Sequence, residues 1–292
     1  MKRLIVNADD FGLTAGVNRA IVECHERGVV TSTTLMATGA RFEEAVALAG
    51  KITTDNRLSI GCHVVLVDGT PCLQPSSLPT LTANGSLRRK LGDFAMAAIR
   101  KQISEAEIEA EALAQFRKLQ NAGVRLSHFD AHKHAHMFPG VVRPLLRAAQ
   151  ACGIRAVRNP FESARPLPLR LLVTSRNLWT RYAEVAVLRR WLRPFQRLVN
   201  DYGLRTTDGS LGVVVTGVLS EQLLEVIIAA MPEGTWELVC HPGYNDAELA
   251  LASTRLLWSR ATELQVLTSS AAREILERYG IELISYHDLA NI

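Results

Sequence analysis

The feature that most constrains the fold of this sequence is a repeated alternation of short apolar, β-rich runs with helical segments. Strands that alternate with helices pair in parallel and form βαβ units, so the pattern predicts an α/β fold. The runs predict strands at 3–8, 29–36, 58–66, 126–131, 154–158, 213–215, 237–240 and 282–285. The segments between them predict helices at 14–27, 42–49, 104–120, 140–152, 220–230 and 269–279.

Reactive side chains follow several of the predicted strands. They are Asp9 and Asp10, His63, the histidines between 128 and 136, Arg158 and His241. In a (β/α) barrel the carboxyl ends of all strands form one face, and active sites are built on that face. We therefore predict one TIM-barrel-like (β/α) domain over residues 1–292, seven-stranded and imperfectly closed.

A histidine-rich stretch, LSHFDAHKHAHMFP, begins at Leu126. It holds four of the eight histidines within nine residues. Alternate side chains of a strand share a face, so His128, Asp130 and His132 are expected on one side. Imidazole and carboxylate are usual ligands of zinc and similar divalent ions. The stretch therefore indicates a metal site, with a solvent-exposed histidine loop or a buried structural pair as the alternative.

The other candidates suit metal-assisted hydrolysis of an acyl group. Asp9 and Asp10 should diverge, so that one binds metal and the other accepts a proton, unless the pair only stabilises a helix start. His63 can be a ligand or a core residue. His241, before Pro-Gly, suits a proton donor, and Arg158 can orient a carboxylate or form a surface ion pair. Motifs such as GxSxG, HExxH, the P-loop and GxGxxG are absent, which excludes the commonest rival chemistries.

Composition and the first residues of the chain indicate which partners and which cellular compartment to expect. A net charge of +4 is too small to indicate a nucleic-acid partner. The five cysteines are scattered without CxxC spacing, which predicts reduced thiols and a cytoplasmic protein. The first residues lead directly into a strand, so no signal peptide is expected. The uncharged run 69–87 contains prolines and is expected to be a loop.

Several motifs resemble those of the YdjC-like family of carbohydrate deacetylases. They are NADDFGL, VTSTTLM, GCHVVLVDG, SHFDAHKHAHMFP and CHPGYND, in this order along essentially the whole chain. The segments VLVDGTPCL, AHKHAHMFP and VRNPFE are similar to the hopanoid biosynthesis-associated branch, whose substrates are N-acetylglucosaminyl hopanoids.

The resemblance implies a role for each motif residue. Asp10, His63 and His132 would hold one divalent metal ion, with zinc favoured by the ligand set and nickel, cobalt or magnesium left open. Asp9 would be the general base and His241 the general acid. Arg158 resembles the arginine that braces the base in related polysaccharide deacetylases.

The remaining site candidates are less specific. They support the metal ligands or contact substrate, and they are His128, Asp130, His134, His136 and Tyr244. The expected reaction removes an N-acetyl group from a GlcNAc-type glycolipid. Alternatives are deacetylation of soluble chitooligosaccharides, a non-catalytic lipid-binding protein with a structural metal, and a metal-dependent phosphoesterase.

Residues 165–205 interrupt the strand–helix rhythm. They hold nine arginines against Glu184 and Asp201, interleaved with leucine, valine and tryptophan. That composition predicts a helical insertion suited to an anionic membrane surface, and hence peripheral contact with the inner membrane. A lid or a contact within an oligomer, with solvated arginines, is the alternative, and 69–91 is a second candidate lid.

Overall fold

The computed structural model describes residues 1–52, 58–88, 90–162 and 188–291. The strands in chain order are β1 Lys2–Phe11, β2 Ser32–Leu35, β3 Ser59–Val64, β4 Thr82–Ala83, β5 Ser86–Leu87, β6 His128–Ala131, β7 Ala156–Val157, β8 Gly209–Leu211, β9 Gly234–Cys240 and β10 Ile281–Leu283. The main sheet has the order β7-β6-β3-β2-β1-β9-β8, with β10 paired to β1. All its pairs are parallel, whereas β4 and β5 form a separate antiparallel hairpin.

The sheet closes on itself between β7 and β8. Two isolated parallel bridges span this gap, Ala156 to Arg205 and Glu162 to Ser210. The Val157 amide donates to the Arg205 carbonyl at 2.9 Å, and the Arg205 amide donates to Arg155 at 2.8 Å. Because single bridges replace a continuous ladder here, the ring is an imperfect barrel. The predicted α/β barrel-like fold is confirmed.

Strand β1 shows how the sequence divides the inside of the barrel from the outside. Leu4, Val6 and Ala8 belong to the large apolar core that the helices share. Ile5 instead packs with Tyr286 in a smaller internal cluster. The same parity continues to Asn7 and Asp9, so polar side chains lie above an apolar layer inside the ring.

Helices surround the barrel. They are α1 Ala15–Glu26, α2 Phe42–Ile52, α3 Leu91–Ile99, α4 Glu105–Asn121, α5 Pro139–Ala151, α6 Leu192–Asp201, α7 Glu221–Ala230, α8 Ala247–Leu251, α9 Trp258–Thr268, α10 Ser270–Arg278 and α11 Tyr286–Leu289. Short 3-10 turns lie at Pro75–Ser77, His132–Met137 and Arg189–Trp191. Thr14, the predicted start of the first helix, caps α1 by accepting a hydrogen bond from the Val17 amide at 3.1 Å. Each predicted helix has a counterpart, but α3, α8, α9 and α11 lie in segments for which we predicted none.

The predicted strand at 213–215 is wrong. These residues form a turn in which the Val218 amide donates to the Val215 carbonyl at 2.9 Å. Gly212, with φ +89°, ends β8 just before them. The strand lies at 209–211, where it pairs with β9. A Cβ at Gly209 would be 2.7 Å from both the Phe161 carbonyl and the Trp236 ring, so glycine permits this close packing.

Residues 69–88 are largely irregular, as expected for this loop, and α4 holds part of them in place. The two carboxylate oxygens of Glu111 accept the amides of Cys72 at 2.7 Å and Leu73 at 3.0 Å. Glu107 accepts the amides of Thr80 and Leu81 at 2.9 and 3.0 Å. Backbone hydrogen bonds to buried or partly buried carboxylates fix this loop against the barrel.

The arginine-rich insertion is described only from residue 188 onward, and residues 163–187 lie outside the described part. In α6 the side chains of Phe195 and Val199 are buried in the core, whereas Arg193 and Arg197 are exposed. The apolar side of this helix is therefore already covered by the protein. Among the described residues, no helix combines the length and apolar character needed to cross a bilayer.

Candidate active site

The candidate residues converge at the carboxyl ends of the parallel strands. Asp9 and Asp10 close β1, His63 lies near the end of β3, Asp130 lies within β6 and His132 directly follows it. Arg158 and His241 come immediately after β7 and β9. The fold therefore places these seven side chains on the face that we predicted from strand ends.

Asp10, His63 and His132 present three donor atoms to one point. Asp10 Oδ1 lies 3.5 Å from His63 Nε2 and 3.8 Å from His132 Nδ1. The two imidazole nitrogens are 3.3 Å apart. Ligands of a tetrahedral zinc ion, with bonds near 2.1 Å, are about 3.4 Å apart. The spacing and the mixed His/Asp donor set fit a single divalent ion.

Asp130 orients the His63 imidazole. Nδ1 of His63 donates to Asp130 Oδ1 at 2.7 Å, which leaves Nε2 facing Asp10 and His132. A carboxylate behind a metal-binding histidine fixes the tautomer and raises ligand basicity. Burial lowers the His63 pKa, but the carboxylates of Asp130, Asp9 and Asp10 outweigh it and raise that pKa to about 9.

Arg158 holds Asp9 with two parallel hydrogen bonds. Nη1 and Nη2 donate to the two Asp9 oxygens at 2.7 and 2.6 Å, and Nε donates to Glu237 at 2.8 Å. Nη1 also pairs with Asp130. Burial favours the protonated form of Asp9, yet Arg158 keeps the Asp9 pKa well below its ordinary value. A carboxylate held in this way is ionised and fixed in orientation.

The two neighbouring aspartates contact different partners, as expected. Asp10 has φ +70°, an unusual conformation for a residue other than glycine, and this turns it away from Asp9. Its second oxygen, Oδ2, accepts a hydrogen bond from Arg260 on α9. Burial raises the Asp10 pKa, but Arg260 and the nearby histidines lower it overall. Both carboxylates are therefore ionised, and each has its own arginine.

His241 directly follows β9 and lies beside Asp9. Its Nε2 is 3.7 Å from Asp9 Oδ2. Its backbone amide donates to Glu263 Oε2 at 2.6 Å. Its Nδ1 is buried and has no hydrogen-bond partner among the described residues. The imidazole is thus close enough to Asp9 for both groups to reach one bound molecule.

A buried polar layer supports these residues from below. The His128 ring stacks on Tyr286, with centroids 3.7 Å apart, and its Nε2 donates to Asn7 Oδ1 at 3.1 Å. The Tyr286 hydroxyl donates to Glu237, whose pKa burial raises to about 7 in spite of Arg158. His128 and Asp130 have no exposed surface. Of the two expected roles, this burial favours support over substrate contact.

The other three candidates do not belong to the metal-ligand triad. His136 is buried and its Nε2 donates to the Arg158 carbonyl at 3.2 Å. His134 is half-buried, with φ +54° and no partner for Nδ1 among the described residues. The Tyr244 hydroxyl donates to Glu23 on α1, and its ring lies 5.6 Å from the Arg19 guanidinium. The contacts of Tyr244 are thus with a surface helix.

Our sequence reasoning missed the partners of the motif residues. The missed side chains are Asn7, Thr34, Glu237, Arg260, Glu263 and Tyr286. Two signals could have indicated some of them. Glu237 is the only charged side chain in the otherwise apolar run WELVC, and Arg260 and Glu263 are three positions apart in one helix.

Comparison with known proteins gives relatives of the same length. A carbohydrate deacetylase of Brevibacillus brevis is 32% identical over 288 residues, covering 98% of this chain and 99% of that protein. A chitooligosaccharide deacetylase of Proteus mirabilis is 31% identical over 291 residues, covering 98% of both. A crystal structure from Enterococcus faecalis, solved as a candidate cellobiose-phosphate cleavage protein, has a TM-score of 0.72 at 27% identity and covers 99% of this chain and 98% of that one.

The two deacetylases match this chain over nearly its whole length, and the Enterococcus faecalis structure has a similar fold. The sequence model of the YdjC-like protein family matches residues 3–278. The resemblance noted from the motifs is confirmed, and the chain belongs to the YdjC-like family.

Proposed function

We propose that this chain is a metal-dependent carbohydrate deacetylase that hydrolyses the N-acetyl group of a GlcNAc-type sugar. One observation carries the proposal. The donor atoms of Asp10, His63 and His132 are arranged as metal ligands. Beside them lies the Asp9 carboxylate, which Arg158 holds and which faces His241. Two relatives over the whole chain are named as carbohydrate and chitooligosaccharide deacetylases.

Asp10, His63 and His132 would hold the ion. A bound divalent ion supplies Lewis acidity, which lowers the pKa of water toward about 7 and polarises the amide carbonyl. Asp9 accepts the proton of the attacking water. Because Arg158 occupies one direction on each Asp9 oxygen, the remaining lone pair of Oδ2 is available on the His241 side.

His241 supplies the second proton transfer. The oxygen of the attacking water first adds to the carbonyl carbon, and the C–N bond breaks in the step that follows. An amine is a poor leaving group in that second step unless it is protonated as it departs. His241 Nε2, 3.7 Å from Asp9, donates that proton, so the products are acetate and the free amino sugar. A structural metal site needs neither Asp9 nor His241, which disfavours the non-catalytic alternative.

For the phosphoesterase alternative, additional ligands for a second metal would be needed. Among the described residues, neither His134 nor His136 belongs to a group whose donor atoms converge closely enough to hold a metal ion.

We further propose that the sugar of the substrate is attached to a hopanoid lipid. The protein would then be a single catalytic domain that contacts the membrane peripherally. The motifs VLVDGTPCL and VRNPFE support this branch. In α6 the exposed arginines Arg193 and Arg197 can meet anionic headgroups, but its apolar side is occupied by the core. Apolar membrane contact therefore depends on 165–187, outside the described residues. The name of the Proteus mirabilis relative favours the alternative, a soluble chitooligosaccharide.

The test is acetate release from diacetylchitobiose and, in parallel, from an N-acetylglucosaminyl hopanoid in vesicles. We expect release that a chelator abolishes and added metal restores, and a loss of at least about 100-fold in Asp9→Asn, because the general base is removed. Release from the lipid alone supports the hopanoid branch, and release from the soluble sugar alone replaces it. No release from either substrate by metal-loaded protein would refute the deacetylase proposal.

A further inference from the structure

Helix α9 directs two buried charged side chains at the active site. Arg260 is fully buried and Glu263 is 2% exposed. They are three positions apart, so they lie on one face of the helix. A buried charge is costly unless it is paired and hydrogen-bonded. Each of these two charges is paired with a different active-site residue.

Arg260 engages the outer oxygen of the proposed metal ligand Asp10. Its Nη2 donates to Asp10 Oδ2, and its Nε donates to the Leu256 carbonyl at 2.9 Å, which fixes the guanidinium plane. Oδ1 of Asp10 is left facing His63 and His132. The contact thus selects one oxygen for the metal and holds a carboxylate whose backbone, at φ +70°, is itself unusual.

Glu263 engages the other half of the site. Its Oε2 accepts the His241 amide at 2.6 Å, and its Oε1 accepts the Gly217 amide at 3.4 Å. The turn that follows His241 rests on the same helix, because the Gly243 amide donates to the Arg260 carbonyl at 3.2 Å. A Cβ at Gly243 would lie 2.9 Å from Arg260 Cδ, so the glycine permits this close approach.

We propose that α9 positions both halves of the catalytic site, Arg260 by orienting the metal ligand Asp10 and Glu263 by orienting the general acid His241. The proposal rests on the function proposed above. Both are positioning residues, since the contacts of each are with protein groups. Loss of Arg260 should therefore impair metal binding, whereas loss of Glu263 should impair protonation of the leaving group.

The Arg260 half is tested by metal affinity. Metal-free Arg260→Gln is titrated with Zn²⁺ in competition with a chromophoric chelator. We expect affinity to fall about 10- to 100-fold, the usual effect of removing a group that orients a metal ligand. Arg260→Lys, which keeps the charge, should recover part of the loss. Gln265→Ala, on the exposed side of α9, is the matched control and should bind as the parent does.

Removing the Arg260 cation also makes the site more negative, and this charge effect alone would raise the affinity for a cation. Affinity equal to or greater than that of the parent in Arg260→Gln would mean that the charge effect exceeds the orienting effect. That result would overturn the Arg260 half. Thermal unfolding of each variant verifies that the comparison is between folded proteins.

The Glu263 half is tested with two leaving groups. An amide nitrogen must be protonated as it leaves, whereas the p-nitrophenolate of p-nitrophenyl acetate need not be. We expect Glu263→Ala to lower kcat on diacetylchitobiose about 10- to 100-fold, as misplacement of a catalytic group does. The rate of p-nitrophenyl acetate hydrolysis and the metal affinity of Glu263→Ala should stay within about threefold of the parent values, because Asp9 and the metal ligands remain.

Glu263→Gln keeps a carbonyl acceptor for the His241 amide and should retain most of the activity. Equal losses on both substrates in Glu263→Ala would overturn this half. If the parent hydrolyses neither substrate, the proposed function fails, while the Zn²⁺ comparison between the parent and Arg260→Gln still decides the Arg260 half. The two failures are therefore distinguishable.

Discussion

The pKa values of His63, His128 and His132 differ because these histidines have different charged neighbours. Burial lowers the pKa of His132 to about 4, and the Asp10 carboxylate only partly opposes it. Burial also lowers the pKa of His128, beside Arg158. In His63 three carboxylates outweigh burial and raise the pKa to about 9. Without metal, near neutral pH, His63 therefore carries the proton and the other two are neutral.

This difference predicts proton release on metal binding. A metal ligand must be a neutral imidazole, so the ion has to displace the proton from His63. We expect release of about one proton per Zn²⁺ at pH 7, and an apparent affinity that rises about tenfold per pH unit until it levels off near pH 9. Calorimetric titration in two buffers of different ionisation enthalpy measures the number of protons released.

Asp130→Asn is the matched comparison, because it removes the carboxylate that contributes most to the raised pKa of His63. Fewer protons should be released in this variant. A proton count near zero in the parent at pH 7 would contradict the assignment of the charged imidazole to His63.

The motif residues could be predicted from sequence because strand ends and family motifs both mark them. Their partners could not. Arg260, Glu263 and Glu237 are charged residues that the fold buries, and a charged residue in a sequence is ordinarily expected at the surface. Only the tertiary contacts with Asp10, His241 and Arg158 make their burial favourable.

Elements with an apolar pattern could be predicted from the sequence, whereas elements that depend on tertiary contacts could not. Strands β1, β3 and β9 have apolar runs and were located to within a few residues. Helix α9 buries Arg260 and Glu263 beside Leu264 and Leu267, so its inward face lacks the apolar periodicity that identifies a helix. The position of β8 was predicted wrongly because its residues, Gly209–Leu211, lack the β-branched run of 213–215, and their strand is defined by tertiary pairing with β9.

Strand β3 lies against the His128 ring, and this contact predicts the effect of a small substitution. A Cβ at Gly61 would be 2.6 Å from His128 Cε1. The ring cannot move away easily, since it stacks on Tyr286 and bonds to Asn7. We expect Gly61→Ala to lower the free energy of unfolding by about 1–3 kcal/mol, as overpacking does. Urea denaturation measures the change.

Gly50→Ala in α2 is the control for this prediction. A Cβ there meets nothing within 4 Å. Replacement of a glycine by alanine in a helix should stabilise the protein by about 0.5–1 kcal/mol. Equal stability of the two variants would mean that β3 and β6 adjust freely and that the His128 layer does not hold the strands in register.

At the scale of the whole molecule, the barrel interior changes from apolar to ionic toward its catalytic end. Ile5, Ile284 and Tyr286 form the apolar layer, and the motif residues lie above it. Among the described residues, the arginine ion pairs of this layer join four carboxylates to two guanidinium groups, namely Asp9, Asp10, Asp130, Glu237, Arg158 and Arg260. Up to two negative charges are therefore unmatched, and protons on Glu237 or His63 can offset them when no metal is bound.

A divalent ion matches this deficit, so the whole protein should be more stable with metal than without it. Binding to the folded state alone adds about 2.7 kcal/mol at a metal concentration 100-fold above Kd. For a chain of this size that corresponds to a rise in Tm of roughly 5 °C. Calorimetry of chelator-treated protein, before and after addition of Zn²⁺, measures the shift.

His132→Ala removes one ligand without disturbing the arginine pairs, and its shift should be much smaller. An equal shift in the parent and His132→Ala would place the stabilising ion elsewhere in the protein. No shift in the parent would mean that buried protons balance the carboxylates as well as a metal ion does.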